Sequence, residues 1–361
     1  MASKRVCCRW CRKPSIVPLQ AQTLRCPACN GFTPLQINRT PQPNGNDCLP
    51  NYASYSKTYL NRADFSRHNR PMVAGVIFPM QPQVRVSSAQ GPKRALLCGI
   101  TYKEHEQSLQ GSVNDVMLMK KLLVERFRFP PTSIVVLTEE GDPSHIPTKA
   151  NIRAALRWLV KGCQPGDSLV FHYSGHGSRV RDRDGDEKDG YDESLLPVDY
   201  QTEGRILDDE LNATIVLPLP KGAVLHSIVD SCYCGTFLDL PNVCRIDRQG
   251  FYIWEDHRSH VAYKGTSGGL AVSVSSCDDD QNSGDTTVFT GDAMGALTFT
   301  FVQTLEQKPN LKYGDLLLTM HQKIHAAREK VALGSNERPP LQEPQLSSSH
   351  KFDIHSKPFT L

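Results

Sequence analysis

Two apolar runs that end in the same way organise the chain. Residues 223–229 (AVLHSIV) are rich in aliphatic and β-branched side chains, the mark of a strand buried on both faces, and they stop at Asp230-Ser231-Cys232 with Gly235 three positions on. Residues 168–173 (SLVFHY) follow the same plan and run into Ser174-Gly175-His176-Gly177. A turn of small residues after a parallel strand sets its side chains on the carboxyl rim of the sheet, where open α/β folds carry their sites. One rim loop therefore carries a thiol and the other an imidazole, 56 residues apart.

The flanking pattern completes an α/β alternation. Residues 95–101 (ALLCGIT) read as a first strand, and Ser112-Val-Asn-Asp115 then opens a helix as a capping box, with Val113, Val116 and Met117 on one face. Residues 134–137 are a second strand. Thr148 caps a helix whose Ile152, Ala155, Leu156, Leu159 and Val160 form an apolar stripe, ended by Gly162. Residues 270–275 (LAVSVS) are a fifth strand, and two helices follow near 293–307 and 314–331. Strands alternating with helices predict an α/β fold from residue 94 to residue 361, a mostly parallel sheet with helices on both faces. Residues 239–268 read as irregular, and 334–350 as a loose Pro/Ser-rich loop before a short terminal strand.

Upstream the periodicity disappears. Residues 34–93 are rich in Pro, Asn, Gln and Ser (TPQPNGNDCLPNY, FPMQPQV) and read as a flexible prodomain linker. Residues 1–33 hold Cys8-x2-Cys11 and Cys26-x2-Cys29, two thiolate pairs at a spacing suited to one tetrahedral zinc ion, with Cys7 to spare. With Pro18 between the pairs, this segment resembles a zinc finger of the lesion-simulating-disease type, a module through which, with the prodomain, protein partners would bind.

Charge and cysteine usage narrow the classes. Against 41 Lys plus Arg stand 38 Asp plus Glu, a net charge of +3 that gives no reason to expect a dedicated nucleic-acid partner. The chain opens MASKRVCCRWCR, with no apolar signal region, and no run reaches membrane length. The twelve cysteines then read as metal ligands, core thiols and a nucleophile, and the expected compartment is the cytoplasm, with the nucleus also open.

A cysteine attacks only as thiolate, and a neighbouring imidazole can take its proton and return it to a leaving amine. Cys232 and His176, at the tips of strands expected to be adjacent, supply that pair, and Gly175, Gly177 and Gly235 let backbone come close to a substrate and offer N–H groups to an oxyanion. His172, inside its strand, reads as a packed core histidine. Cys234 is the rival thiol: it shares a face with Cys232 if the strand continues and loses it if the chain turns.

HYSGHGS and DSCYCGTFLDLP, with DESLLPVDY, ILDDEL, WEDHR and SSCDDDQ, form a set that resembles a plant type I metacaspase over residues 94–361. The resemblance implies a caspase-like fold, cleavage of protein substrates after Arg or Lys, dependence on calcium, a monomer, and a place in regulated cell death or in stress and immune responses. It makes His176 the general base and acid and Cys232 the nucleophile, with the backbone N–H groups of Gly177 and Cys232 as the oxyanion hole. Asp115, Asp230 and the Ser174 hydroxyl would line an acidic S1 pocket, as a basic P1 side chain needs, and the calcium ligands would be Asp192, Asp208, Asp209 and Asp239. Asp115 also has a bland reading, a capping carboxylate on a solvated helix end. The run RDRDGDEKDGYDE nearly mimics an EF-hand, but Glu187 stands where that loop needs Gly, so it is not one. The family reads Cys-His-Ser-Gly at the nucleophile and this chain Cys232-Tyr233-Cys234-Gly235, the one feature that favours a catalytically weak scaffold acting through its zinc finger. Arg258 and Lys264, in the irregular segment, are the expected self-cleavage sites of a zymogen, separating a large subunit at 94–258 from a small one at 265–361.

Overall fold

Why the sheet forms is clearest at β5 (Lys93–Gly99), where alternate side chains feed opposite cores: Leu96 and Cys98 enter one, Ala95 and Leu97 the other, all fully buried. The computed structural model describes residues 3–7, 14–18, 23–25, 32–34, 92–105, 107–232, 234–247, 249–257, 262–276, 285–286, 293–334 and 343–361. They divide into two units, Met1–Gln81 and Pro82–Leu361. The first holds two antiparallel hairpins, β1 (Ser3–Cys7) with β2 (Pro14–Pro18) and β3 (Thr23–Arg25) with β4 (Phe32–Pro34). Cys8, Cys11, Cys26 and Cys29 lie outside the described residues, as does most of the expected linker.

After β5 the second unit continues through α1 (Ser112–Glu125), β6 (Ile134–Leu137), α2 (Lys149–Val160), β7 (Ser168–Ser174), β8 (Gly177–Arg181), β9 (Tyr191–Leu195), α3 (Tyr200–Glu203), β10 (Ile206–Leu207) and α4 (Asp208–Leu211). Then come β11 (Val224–Asp230), β12 (Asn242–Ile246), β13 (Tyr252–Asp256), β14 (Leu270–Ser275), β15 (Asp285–Thr286), β16 (Met294–Gly295), α5 (Ala296–Gln307), α6 (Tyr313–Gly334) and β17 (Gln345–Ser348).

The main sheet has eight strands in the order β13-β12-β17-β14-β11-β7-β5-β6. From β14 to β6 every pairing is parallel, and from β14 outward through β17, β12 and β13 every pairing is antiparallel. The sheet is therefore mixed, and the stretch read as irregular contains an antiparallel hairpin that extends its edge. In the parallel part the strand order reverses between β5 and β7, the switch point beside which α/β sheets open a crevice. Helices α1, α5 and α6 cover one face and α2 with the helical turns after β10 the other. Each fully buried Leu or Phe contributes about 2–3 kcal/mol relative to exposure.

Caps fix where these elements stop. Thr148 Oγ accepts from the Asn151 N–H (3.3 Å), and Gly162 takes a left-handed φ of 64° just past α2. Arg94 donates to the Lys161 carbonyl at the end of α2 and pairs with Asp167 (3.0 Å), so strand β5 is pinned to that helix end. The expected capping box at Ser112 does not form. Gly111 is the N-cap, Ser112 Oγ is buried without a hydrogen-bond partner among the described residues, and the Asp115 carboxylate is used elsewhere. The buried stripe of α1 is Val116, Met119, Leu122 and Leu123, whereas Met117, about 100° round the helix from Val116, is exposed. No helix among the described residues is long and apolar enough to cross a membrane.

Two histidines are sealed in the core. Burial drives His172 and His226 down to about 3, with Lys357 adding to the effect at His226. Their partners are the Thr298 hydroxyl (3.2 Å) and the Tyr313 hydroxyl (2.6 Å). As pH falls below about 6.5 the unfolded chain takes up protons at these positions first, so the fold loses stability progressively toward the folded-state value, by up to a few kcal/mol for each histidine. Urea unfolding at pH 7 and pH 5 checks this: His172→Gln should narrow the difference between the two pH values relative to wild type.

Candidate active site

Strands β7 and β11 run side by side in register from Ser168↔Val224 to Ser174↔Asp230, so their rim loops leave the sheet level with each other. Gly175 N–H donates to the Asp230 carbonyl (3.3 Å) and ties the loops at their base. Gly177 then crosses so close to the second loop that a β-carbon there would overlap the Cys232 carbonyl oxygen. Only glycine allows that approach.

The Cys232 turn is fastened by Ser276, at the end of β14. Ser231 N–H donates to Ser276 Oγ (3.2 Å), the Ser276 hydroxyl donates to the Ser231 carbonyl (3.0 Å), and Ser276 N–H donates to the Val229 carbonyl (3.1 Å). The chain turns, and the two thiols part: Cys232 is partly exposed, while Cys234 is fully buried, with Sγ 3.3 Å from Ser276 Oγ and 3.7 Å from the Val229 carbonyl. Cys234 is a core thiol beneath the site. Tyr233 lies outside the described residues.

His176 is held on three sides. Its Nε2 lies 2.6 Å from the Gln107 carbonyl oxygen, which accepts only, so Nε2 carries the proton and Nδ1 is left as the ring's acceptor. The ring packs on Tyr102 with centroids 4.4 Å apart, and Tyr102 Oη accepts from the His176 N–H (3.0 Å) while donating to the Leu196 carbonyl (2.5 Å). Tyr173 Oη donates to the His176 carbonyl (2.7 Å). Burial keeps both phenols protonated far above neutrality. Tyr102 itself has a left-handed φ of 52°, fixed by Glu139, whose carboxylate accepts from the N–H groups of Thr101 (2.5 Å) and Tyr102 (2.8 Å).

The acidic residues expected to line S1 converge nearby. Ser174 Oγ donates to Asp115 Oδ2 (2.7 Å), the Gly295 N–H donates to Asp115 (3.0 Å), and the Thr298 N–H at the start of α5 donates to Asp230 Oδ2 (2.8 Å). All three side chains are buried, and a β-carbon on Gly295 would run into both carboxylates. Asp115 is thus a buried, hydrogen-bonded carboxylate, not a solvated helix cap. Gly295 and Thr298 complete this group, and nothing in the sequence pattern announced them.

The expected calcium ligands form a second acidic centre. Oxygens of Asp192, Asp208 and Asp209 lie within 4.8 Å of one another, as do those of Asp186, Glu187 and Asp239. Lys264 joins the groups, its Nζ pairing with Asp209 (2.7 Å) and, more closely, with Asp186 and Asp239. Burial first, then carboxylate neighbours, pushes Glu187 up to about 9 and Asp208 well above the usual range. Burial also raises Asp239 to about 6. These are hard oxygen donors crowded beyond what one lysine neutralises, a donor set that fits a calcium ion. Arg258 lies outside the described residues, and Lys264 is buried rather than displayed.

Comparison with known proteins agrees with this geometry. A family model described as "Metacaspase, peptidase C14 domain" matches residues 93–241. Metacaspase-1 of Arabidopsis thaliana is 43% identical over 373 residues, covering 98% of this chain and 95% of that protein. Metacaspase-2 of the same plant is 47% identical over 305 residues, 75% of this chain and 73% of its own length. Among solved structures, protein GSU0716 from Geobacter sulfurreducens superposes with a TM-score of 0.50 at 20% identity, over 74% of this chain and 98% of that one, a likeness of fold alone.

Thiol chemistry tests the site directly. Iodoacetamide at neutral pH should alkylate Cys232 and spare Cys234 until the chain is denatured, as read by peptide mapping. Tyr102→Phe keeps the ring under His176 but removes the hydroxyl, worth about 1 kcal/mol, so Cys232 alkylation should slow about fivefold and its pH profile should shift.

Proposed function

The chain belongs to the metacaspase family and is a cysteine-type endopeptidase with a caspase-like fold, and from that premise we propose that it cleaves proteins after Arg or Lys, depends on calcium, and is made as a zymogen that processes itself. The observation that carries the specificity is the buried pair Asp115 and Asp230, converging on Gly295 beside the Ser174 hydroxyl. Two desolvated carboxylates favour a guanidinium or ammonium and repel an acidic P1 side chain.

In this reading His176 Nδ1 takes the proton of Cys232 Sγ as the sulfur bonds to the scissile carbonyl carbon. The N–H groups of Gly177 and Cys232 receive the developing oxyanion, and the close crossing of Gly177 over the Cys232 turn supports that pairing. The carbonyl re-forms as the C–N bond breaks, and His176 returns the proton to the leaving amine. Water then enters, His176 removes its proton, and the thioester is hydrolysed to free acid and thiol. The Gln107 carbonyl and Tyr102 keep the imidazole in one tautomer and one orientation throughout.

Asp192, Asp208, Asp209 and Asp239 are the residues that would hold calcium. The ion, when bound, supplies the positive charge that lets these carboxylates stay ionised together. Cys8, Cys11, Cys26 and Cys29 would hold one structural zinc. Self-cleavage after Arg258 or Lys264, a monomeric state, action in the cytoplasm, and a part in regulated cell death or in stress and immune responses complete the proposal. A catalytically silent scaffold is not favoured, since Cys234, the competing thiol of the Tyr233-Cys234 departure, is buried away from the rim.

Fluorogenic peptides ending in Arg, Lys or Asp, assayed under reducing conditions with calcium or chelator, test this reading. Hydrolysis after Arg and Lys only, present with calcium and lost in Cys232→Ala, is the expected result, and Asp115→Asn should lower kcat/KM for the Arg peptide about 100-fold or more. With calcium the wild-type chain should fragment while Cys232→Ala stays whole. Cleavage after Asp, or equal rates in chelator, would overturn the specificity or the calcium dependence respectively.

A further inference from the structure

The carboxylates assigned to calcium already face a cation. Lys264 carries its ammonium into the acidic centre with only 6% of its side chain exposed, and pairs there with Asp186, Asp209 and Asp239, with Glu187 at 3.5 Å. These acids come from three places: the loop between β8 and β9, the first turn of α4, and the segment that follows the nucleophile turn. Main-chain contacts reinforce the placement. Asn212 Nδ2 donates to the carbonyls of Lys264 (3.2 Å), Leu238 (2.9 Å) and Asp239 (3.2 Å), so one amide clasps the Lys264 segment to the Asp239 segment.

One ammonium does not balance the box. Asp192 and Asp208 adjoin the same cluster, and Asp186, its side chain 1% exposed, keeps Oδ1 buried without a hydrogen-bond partner among the described residues. A buried acceptor without a hydrogen-bond partner, set among carboxylates that outnumber the one ammonium, favours further positive charge. Asp209 and Asp239, which Lys264 grips, are also two of the acids assigned to the ion. An ammonium and a divalent ion drawing on the same oxygens repel each other and exclude each other from contact.

We propose that Lys264 is a built-in competitor for the calcium site: its ammonium closes the acidic box in the ion-free chain, and the ion enters as Lys264 leaves. The inference rests on the calcium reading above and adds a regulator to it. Because the displaced side chain is a lysine followed by Gly265, the event that loads the ion also exposes a basic residue of the kind the S1 pair accepts. Ion-free chain hides that residue, and ion-loaded chain displays it. Self-processing at Lys264 is thereby tied to calcium through access to the bond as well as through the state of the site.

Binding and accessibility test this in the full chain carrying Cys232→Ala, which cannot cut itself. Reductive methylation followed by peptide mass spectrometry reads the reactivity of Lys264 without calcium, with saturating calcium, and with sodium chloride at matched ionic strength. The expected result is at least a tenfold rise with calcium and none with salt. Calcium titrated by calorimetry into the same chain with Lys264→Met should bind about tenfold tighter or better, because the occupied fraction of the box no longer competes, and Lys264→Arg should bind no tighter. If calcium binds while Lys264 stays protected, or Lys264→Met binds with unchanged affinity, the competition is refuted and the calcium reading stands. If none of the chains binds calcium, both fall. Should circular dichroism show Lys264→Met unfolded, methylation of the Cys232→Ala chain decides alone.

Discussion

Everything at the rim depends on the parallel pairing of β7 with β11, seven residues in register and ending level at Ser174 and Asp230. A strand that slipped by one residue would send His172 into the opposite core and drop Ser174 from the rim, since side chains alternate faces at every position. Level endings let two loops leave together, and their contact is so close that Gly177 has room for no side chain against Cys232. The register is held by burial on both faces: Leu225 and Val229 pack into one core, Ile228 into the other. Hydrophobic energy spread over the sheet thus sets the position of a thiol and an imidazole that themselves contribute little to stability.

The fold carries two acidic centres, and they solve the problem of buried negative charge differently. Asp115 and Asp230 are stabilised by donors of the fold, the Ser174 hydroxyl and the N–H groups of Gly295 and Thr298. The Asp186–Asp209–Asp239 centre has fewer donors and brings in a cation of its own, Lys264. One ammonium does not offset them all: burial first, then the neighbouring carboxylates of Asp239 and Asp208, still push Glu187 up to about 9 although Lys264 lies 3.5 Å away. Donor-rich burial keeps carboxylates in place without a cation, as the proposed S1 pocket requires. Cation-filled burial suits a centre whose state depends on which cation occupies it.

What the sequence reveals of this arrangement follows from how local each cause is. The runs at 168–173, 223–229 and 270–275 form strands because continuous apolar stretches have no other stable place, and α2 begins at Thr148 and ends at Gly162 because capping is decided within a few residues. The hairpin β12–β13 escapes the same reading. Its second strand is only half-buried, and it reaches the sheet through β17, about a hundred residues further along. The capping-box pattern at Ser112 is present and unused, because Asp115 finds better donors across the fold. Tyr102, Glu139 and Gln107 carry no periodic or motif signal at all. Their roles exist only once β5, α1 and β7 have been brought to one crevice.

Lys264 marks the furthest reach of that limit. In the chain it is a basic residue in a polar stretch, indistinguishable from Arg245 or Arg258, and solvent exposure is the default for such a side chain. Its burial becomes intelligible only when carboxylates from three separated segments meet, each of which would be costly to bury alone. The cation is therefore as much a cause of the loop arrangement as a consequence of it: without it the β8–β9 loop, the start of α4 and the Asp239 turn repel one another. A site assembled by mutual charge compensation has a property that a hydrophobic core lacks. Replacing one cation by another of different charge and size changes which segments it joins, which is why the proposed exchange of Lys264 for calcium would act on the loops that the lysine fixes.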